Sequence, residues 1–140
     1  DKTPNMKHRI LASDLDIEIL AKAKAGVYSA SEIKAMTPER KSKYMVEQDG
    51  KFAVKPEIKS CIEFKRHNLL KDKFETGFDL ILCRNVVIYF TEEAKDQLYA
   101  HFFEALKPGG ILFVGATEAI LNFRRLGYTS YKPFFYQRPL

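Results

Sequence analysis

Apolar and polar positions along this chain change period several times, and each change marks an element. The clearest apolar run is Leu80-Ile81-Leu82-Cys83. Four residues without a polar interruption predict a strand buried on both faces of a parallel sheet rather than an amphipathic segment. Ile111 to Gly115 predicts a second buried strand. Between the two, Ala94, Leu98, Phe102, Ala105 and Leu106 recur at helical spacing behind Thr91, Glu92 and Glu93, so a capped helix packs against the sheet until Lys107-Pro108-Gly109-Gly110 stops it.

The amino-terminal half has the same alternation with an interruption. Arg9 to Ala12 reads as a short strand ended by Ser13-Asp14-Leu15-Asp16, and Ile17 to Ala25 as a helix with acids at its start, lysines toward its end and Gly26 as its stop. Ser29-Ala30-Ser31-Glu32 fits a capping box and Thr37-Pro38-Glu39 a capped first turn, predicting short helices over 30–36 and 38–45. Met45 to Gln48 and Lys51 to Lys55 flank Asp49-Gly50, a pair that tolerates the positive φ angles of a tight hairpin, and Pro56 ends the second run. Residues 44–56 therefore read as a small hairpin subdomain inserted between core strands, either a structural flap or an exposed edge able to pair with an extended peptide.

Ser60 to Lys65 alternates as a strand leading to His67 and Asn68. Tyr128 to Tyr131 and Phe134 to Gln137, joined through Pro133, read as an antiparallel hairpin at the sheet edge. Alternating β and α segments imply an α/β, doubly wound parallel sheet. Residues 1–6 read as a frayed start, and no internal repeat or low-complexity linker interrupts the 140 residues.

Composition narrows the class. The chain is 46% hydrophobic and 13% aromatic, enough for a core. No uncharged apolar run approaches about eighteen residues and no basic, apolar leader precedes the first helix, so the expectation is a soluble chain with no membrane insertion. Cys61 and Cys83 lie in apolar, strand-like surroundings without paired spacing, which reads as buried thiols in a reducing cytoplasm. His8, His67 and His101 are scattered, so no metal cluster is expected. The net charge of +5 suits an acidic partner, but the densest basic group, Arg40-Lys41-Ser42-Lys43, lacks the interleaved aromatics of a single-strand platform and reads as a solvated helix face.

In open α/β sheets ligands bind beyond the carboxyl ends of the strands. Arg84 and Asn85 stand where the central strand emerges, followed by Tyr89-Phe90. They are the first candidates for a site; the competing account is a core strand whose Arg84 reaches solvent and whose Tyr89 caps the core. Asp14, near a strand tip, is a candidate acceptor for ribose hydroxyls, with Asp16 the simpler helix cap. Asn68, or the backbone of Leu69, could meet a purine-like edge, though turn chemistry explains Asn68 equally well.

Taken together, Ala-Ser-Asp-Leu-Asp (12–16), His-Asn-Leu-Leu (67–70), Phe-Asp-Leu-Ile-Leu-Cys-Arg-Asn-Val-Val-Ile-Tyr-Phe (78–90), Leu-Lys-Pro-Gly-Gly-Ile-Leu-Phe-Val-Gly-Ala-Thr-Glu (106–118) and Phe-Phe-Tyr-Gln (134–137) resemble the CheR-type chemotaxis receptor methyltransferases over about residues 8–138. The Cys-Arg-Asn-Val-Val-Ile-Tyr-Phe segment is specific to that family, whereas Leu-Lys-Pro-Gly-Gly occurs in many S-adenosylmethionine-dependent methyltransferases. The resemblance implies a Rossmann-like methyltransferase sheet and transfer of a methyl group from S-adenosyl-L-methionine, leaving S-adenosyl-L-homocysteine, to glutamates on the cytoplasmic helices of methyl-accepting chemoreceptors. It implies Asp14 as the ribose acid, Asn68 and Leu69 on the adenine side, Cys83 and Arg84 as further cofactor contacts, and Arg84 with Tyr89 flanking the transferred methyl.

Two departures accompany the resemblance. The family begins with a helical domain, a first core strand and a Gly-containing cofactor loop, and these have no counterpart here, so the chain reads as a carboxyl-terminal fragment. The absent strand would lie between those ending at Asp14 and Cys83, leaving their edges unpaired. The short loop at Asp49-Gly50 resembles members that do not depend on docking to a receptor's terminal peptide. A non-catalytic receptor-binding fragment is the alternative reading. A nucleic-acid methyltransferase is the lesser one, because Arg84-Asn85-Val86-Val87 stands where amino-methylating enzymes carry an Asn/Asp-Pro-Pro-aromatic tetrad.

Overall fold

The computed structural model describes residue 3 and residues 5–140, which fall into two compact units, 1–68 and 69–140. The predicted start over residues 1–6 lies partly outside the described residues.

In the first unit, β1 (Ile10–Asp14) leads into α1 (Ile17–Ala25), capped by the Asp16 carboxylate, which accepts the N–H groups of Glu18 and Ile19. Gly26 ends α1 with φ of 64°, a left-handed position that suits a residue without Cβ. β2 (Val27–Ser29), α2 (Pro38–Tyr44), β3 (Met45–Gln48) and β4 (Lys51–Val54) follow, forming an antiparallel sheet in the order β2-β4-β3. The Asp49-Gly50 turn has φ of 51° and 71°, as its sequence predicts. A short α3 (Pro56–Lys59) then brings in β5 (Ile62–Arg66), which pairs in parallel with β1 and places Arg66 opposite Asp14.

Three expectations are corrected here. Residues 30–36 form turns, not a helix: Glu32 does accept the Ser29 N–H at 2.8 Å, completing the capping contact, but no helix propagates from it. The hairpin has a third strand, β2, too short to read as one. Cys61 is exposed rather than buried.

The second unit holds a four-stranded sheet of β6 (Phe78–Cys83), β7 (Leu106–Val114), β8 (Thr129–Lys132) and β9 (Phe135–Gln137) in the order β6-β7-β9-β8, with the helix α4 (Glu92–Ala105) between β6 and β7 in the chain. β6 and β7 are parallel through the α4 crossover, and the closing hairpin is antiparallel. Thr91 caps α4 through the Ala94 N–H at 3.2 Å. One sheet face, with Cys83, Leu112, Val114 and Tyr136, packs with Leu98, Tyr99 and Phe102 of α4 into the core. The opposite face is where the prediction of a doubly buried β6 fails. Leu80 is 50% and Leu82 67% exposed, because no helix of this unit covers that side of the strand. β7 is also longer than predicted, since Leu106 already pairs with Phe78 before a bulge.

Candidate active site

Each unit presents candidate residues at the carboxyl end of a parallel strand. In the first, Asp14 is exposed at the tip of β1, with one carboxylate oxygen accepting the Asp16 N–H at 3.0 Å. The His67 N–H donates to the Asp14 carbonyl at 2.9 Å, so the half-buried Asn68 leaves the sheet at the same end. The structure thus brings Asp14 and Asn68 to one rim of the β1-β5 pair.

In the second unit, Leu69 is half-buried against the core. The Cys83 side chain is 4% exposed, and burial pushes its thiol up to about 12, with the negative charge of Glu118 adding to the effect. It is a neutral packing group, not a nucleophile. Arg84 is the first exposed residue past β6, and none of the described residues pairs with its guanidinium. Asn85 follows with φ of 57°, a left-handed conformation that Asn tolerates better than most side chains. The chain then makes a 3₁₀ turn over Val87–Tyr89. Val87, 2% exposed, anchors the turn in the core, while Tyr89 is 93% exposed beside it.

One buried acid that was not among the sequence candidates organises this loop. Glu118, 5% exposed, follows β7 in a second 3₁₀ turn, Ala116–Glu118. Its Oε2 accepts the Asn85 N–H at 2.7 Å, and its Oε1 accepts those of Val86 at 3.0 Å and Val87 at 3.3 Å. Burial would raise its pKa, but backbone N–H groups at Asn85, Val87, Val86 and Gly115 together bring it below the ordinary carboxylate value, so it stays ionised. A Cβ at Gly115 would lie 2.7 Å from Glu118 Oε2 and 3.8 Å from Arg84 Nε, so only glycine leaves the acid its place. The available signal was an Asn that must turn with positive φ and an acid just past the neighbouring strand.

Beside Glu118 a cleft of about 440 Å³ runs between the 3₁₀ turn and α4, lined in part by Ile88, Glu92, Tyr99 and Leu121. A second cleft of about 360 Å³, lined by Lys71, Lys73, Phe74 and His101, adjoins the segment that enters β6 and so lies away from the carboxyl ends. Among the described residues no cluster of three metal-ligating side chains occurs, and no helix is long and apolar enough to cross a membrane.

The sequence profile of the family described as "CheR methyltransferase, SAM binding domain" matches residues 1–132. The chain belongs to the CheR methyltransferases. The chain is similar to the chemotaxis protein methyltransferase of Listeria innocua (42% identical, covering 91% of this chain and 48% of that protein) and to chemotaxis protein methyltransferase 1 of Pseudomonas aeruginosa (43%, covering 81% and 43%). The Escherichia coli chemotaxis protein methyltransferase is 34% identical, covering 84% and 43%. This CheR chain thus spans about half the length of the curated relatives it matches. Among solved structures, its fold is similar to a possible exported protein from Bordetella parapertussis (TM-score 0.57, 16% identical, covering 94% of this chain and 54% of that one). A TehB-like SAM-dependent methyltransferase from Corynebacterium glutamicum gives a TM-score of 0.53 at 18% identity, covering 93% and 66%. The fold is the Rossmann-like methyltransferase α/β fold, and the cofactor of the family is S-adenosyl-L-methionine.

Proposed function

We propose that this chain is the cofactor- and acceptor-binding part of a protein-glutamate O-methyltransferase that modifies the cytoplasmic helices of methyl-accepting chemoreceptors, in the cytoplasm. The observation that carries the reading is the Arg84–Tyr89 loop, with two chemically active side chains exposed at the carboxyl end of β6 in a chain of the CheR family. The residues present suit S-adenosylmethionine: Asp14 is an exposed carboxylate at a strand tip, able to accept hydroxyl donors.

When bound, the cofactor supplies a methyl group on a cationic sulfur. On this reading Asp14 accepts ribose hydroxyls, and Asn68 and the backbone of Leu69 face the adenine. Cys83, its thiol buried, has only its backbone to offer. The acceptor glutamate has a reference pKa of about 4.3 and is ionised at neutral pH, so no general base is required. That agrees with the absence of a histidine from the Arg84–Tyr89 loop. The requirement is in-line approach, which fixed geometry favours by several kcal/mol (~7 or more in well-oriented cases). Arg84 holds the acceptor carboxylate through its planar fork, and Tyr89 presents a ring face or hydroxyl next to positive charge. Because opposite charges vanish as the methyl moves, tight pairing by Arg84 would favour the ground state; its role is orientation.

Calorimetry with S-adenosylhomocysteine tests the reading, on this chain and on the chain joined to the amino-terminal half of the Listeria relative. The proposal predicts heat of saturable binding in the joined protein, reduced when Asp14 is replaced by Ala. No binding in the joined protein would favour the receptor-binding, non-catalytic alternative.

A further inference from the structure

We propose that Glu118 is a positioning residue for methyl transfer: its carboxylate fixes where the Arg84–Tyr89 loop stands and, through the loop, how the acceptor carboxylate is presented. The inference rests on the reading of Arg84 and Tyr89 given above and adds to it a residue that touches neither reactant.

The geometry is that of an anion nest occupied by the protein's own acid. Asn85 is left-handed, with φ of 57°, and Val86 is right-handed, with φ of −106° and ψ of −42°. Successive residues of opposite hand turn their N–H groups toward one point and attract an anion. Both Glu118 oxygens are engaged, one by Asn85 and the other by Val86 and Val87. A glutamine cannot substitute, because its amide would face a backbone N–H with another donor. The loop has few other anchors. Val87 is buried, but Val86, Ile88 and Tyr89 are exposed, so the carboxylate and Val87 decide the loop's position. Glu118 is itself held from behind: the Ile120 N–H donates to the buried Tyr136 hydroxyl at 2.9 Å, and the Glu118 N–H donates to the Gly115 carbonyl at 2.9 Å. The charged and titratable groups around it are Arg84 and Cys83 at the end of β6 and Glu92, Lys95, Asp96 and Tyr99 on α4.

Four forms of the full chain test this: wild type, E118Q, G115A and the double variant. In the wild type, the amide proton resonances of Asn85, Val86 and Val87 sit downfield at neutral pH and move together as pH falls through the lowered Glu118 value; in E118Q that joint titration is lost. Methyl transfer from radiolabelled S-adenosylmethionine to a receptor cytoplasmic fragment, measured after joining each form to the amino-terminal half of the Listeria relative, falls about a hundredfold in kcat in E118Q while KM for the cofactor changes far less. G115A keeps the charge but displaces the carboxylate, so it reproduces the loss, and the double variant is no worse than either single one. If E118Q does not fold, G115A carries the same test. Wild-type kcat in E118Q or in G115A, or unchanged titration of the three amides in E118Q, overturns the proposal. A joined wild type that transfers no methyl group while its amides titrate as described refutes the methyl-transfer reading, and with it the positioning role, leaving the clamp alone standing.

Discussion

Arg84 and Tyr89 stand out among the residues of their loop because exposure costs them nothing structural. Tyr89 is 93% exposed and Arg84 is exposed and unpaired among the described residues, whereas Cys83 and Val87 beside them are buried. Arg84→Ala and Tyr89→Phe are therefore expected to leave thermal stability within about 0.5 kcal/mol of wild type. In the joined protein Arg84→Ala should lower kcat on the order of a hundredfold, and Tyr89→Phe should lower it less if the ring rather than the hydroxyl acts. Steady-state kinetics beside a thermal melt check both: full turnover in Arg84→Ala removes Arg84 from the mechanism, and full turnover in Tyr89→Phe removes the Tyr89 hydroxyl and leaves the ring as the acting group. At this scale sequence chemistry was readable where one residue acts on its near neighbours: Asp16 as cap, the Asp49-Gly50 turn, Thr91 as cap. Glu118 was not, because its three partners lie 31 to 33 positions away and only the β6-β7 pairing brings them together. Its lowered pKa gives the clamp a pH dependence of known sign. The stabilisation is complete above the ordinary value of 4.5 and is lost as pH falls through the depressed folded value.

Among the elements, the helix-forming and strand-forming periods were legible wherever a segment is long or capped, as in α1, α4 and the closing hairpin. They failed where burial depends on what lies opposite. The run Leu80 to Cys83 looks uniformly apolar, yet only Ile81 and Cys83 turn to the face shared with α4, and Leu80 and Leu82 remain exposed. Residues 30–36 carry a capping signal without enough helix behind it to offset the cost of nucleation. The end of α4 shows a third kind of miss. Lys107 to Gly110 marks the stop, but the carbonyls there are satisfied by Arg138, whose Nη1 donates to Phe103, Glu104 and Leu106 carbonyls at 3.0, 3.2 and 2.7 Å. Its guanidinium also lies over the Phe103 ring, 4.9 Å from the centroid. Arg138→Ala should destabilise the second unit by about 1.5–3 kcal/mol, the range for hydrogen bonds to charged groups. Denaturant unfolding measures it, and a midpoint unchanged from wild type would show that water replaces the guanidinium without loss.

As a whole molecule, the chain is two compact units, each built on a pair of parallel strands, and carries a net charge of +5. It spans about half the length of the curated relatives it matches. The alternation of strands and helices was enough to read an α/β, doubly wound class, and the Cys-Arg-Asn-Val-Val-Ile-Tyr-Phe segment together with the other matching segments was enough to read the family and its Rossmann-like sheet, since these are written in contiguous residues. The division into two units was not, because it depends on which strands find partners rather than on where strands form. The chemistry proposed for the assembled protein is esterification of a carboxylate, and esters differ from methylated nitrogen in one decisive property: alkali hydrolyses them to volatile methanol. The joined protein, incubated with methyl-labelled S-adenosylmethionine and a chemoreceptor cytoplasmic fragment, should transfer label that base releases as methanol and that disappears when the acceptor glutamates are changed to alanine. Label that resists base, or none on the receptor fragment at all, would contradict the account.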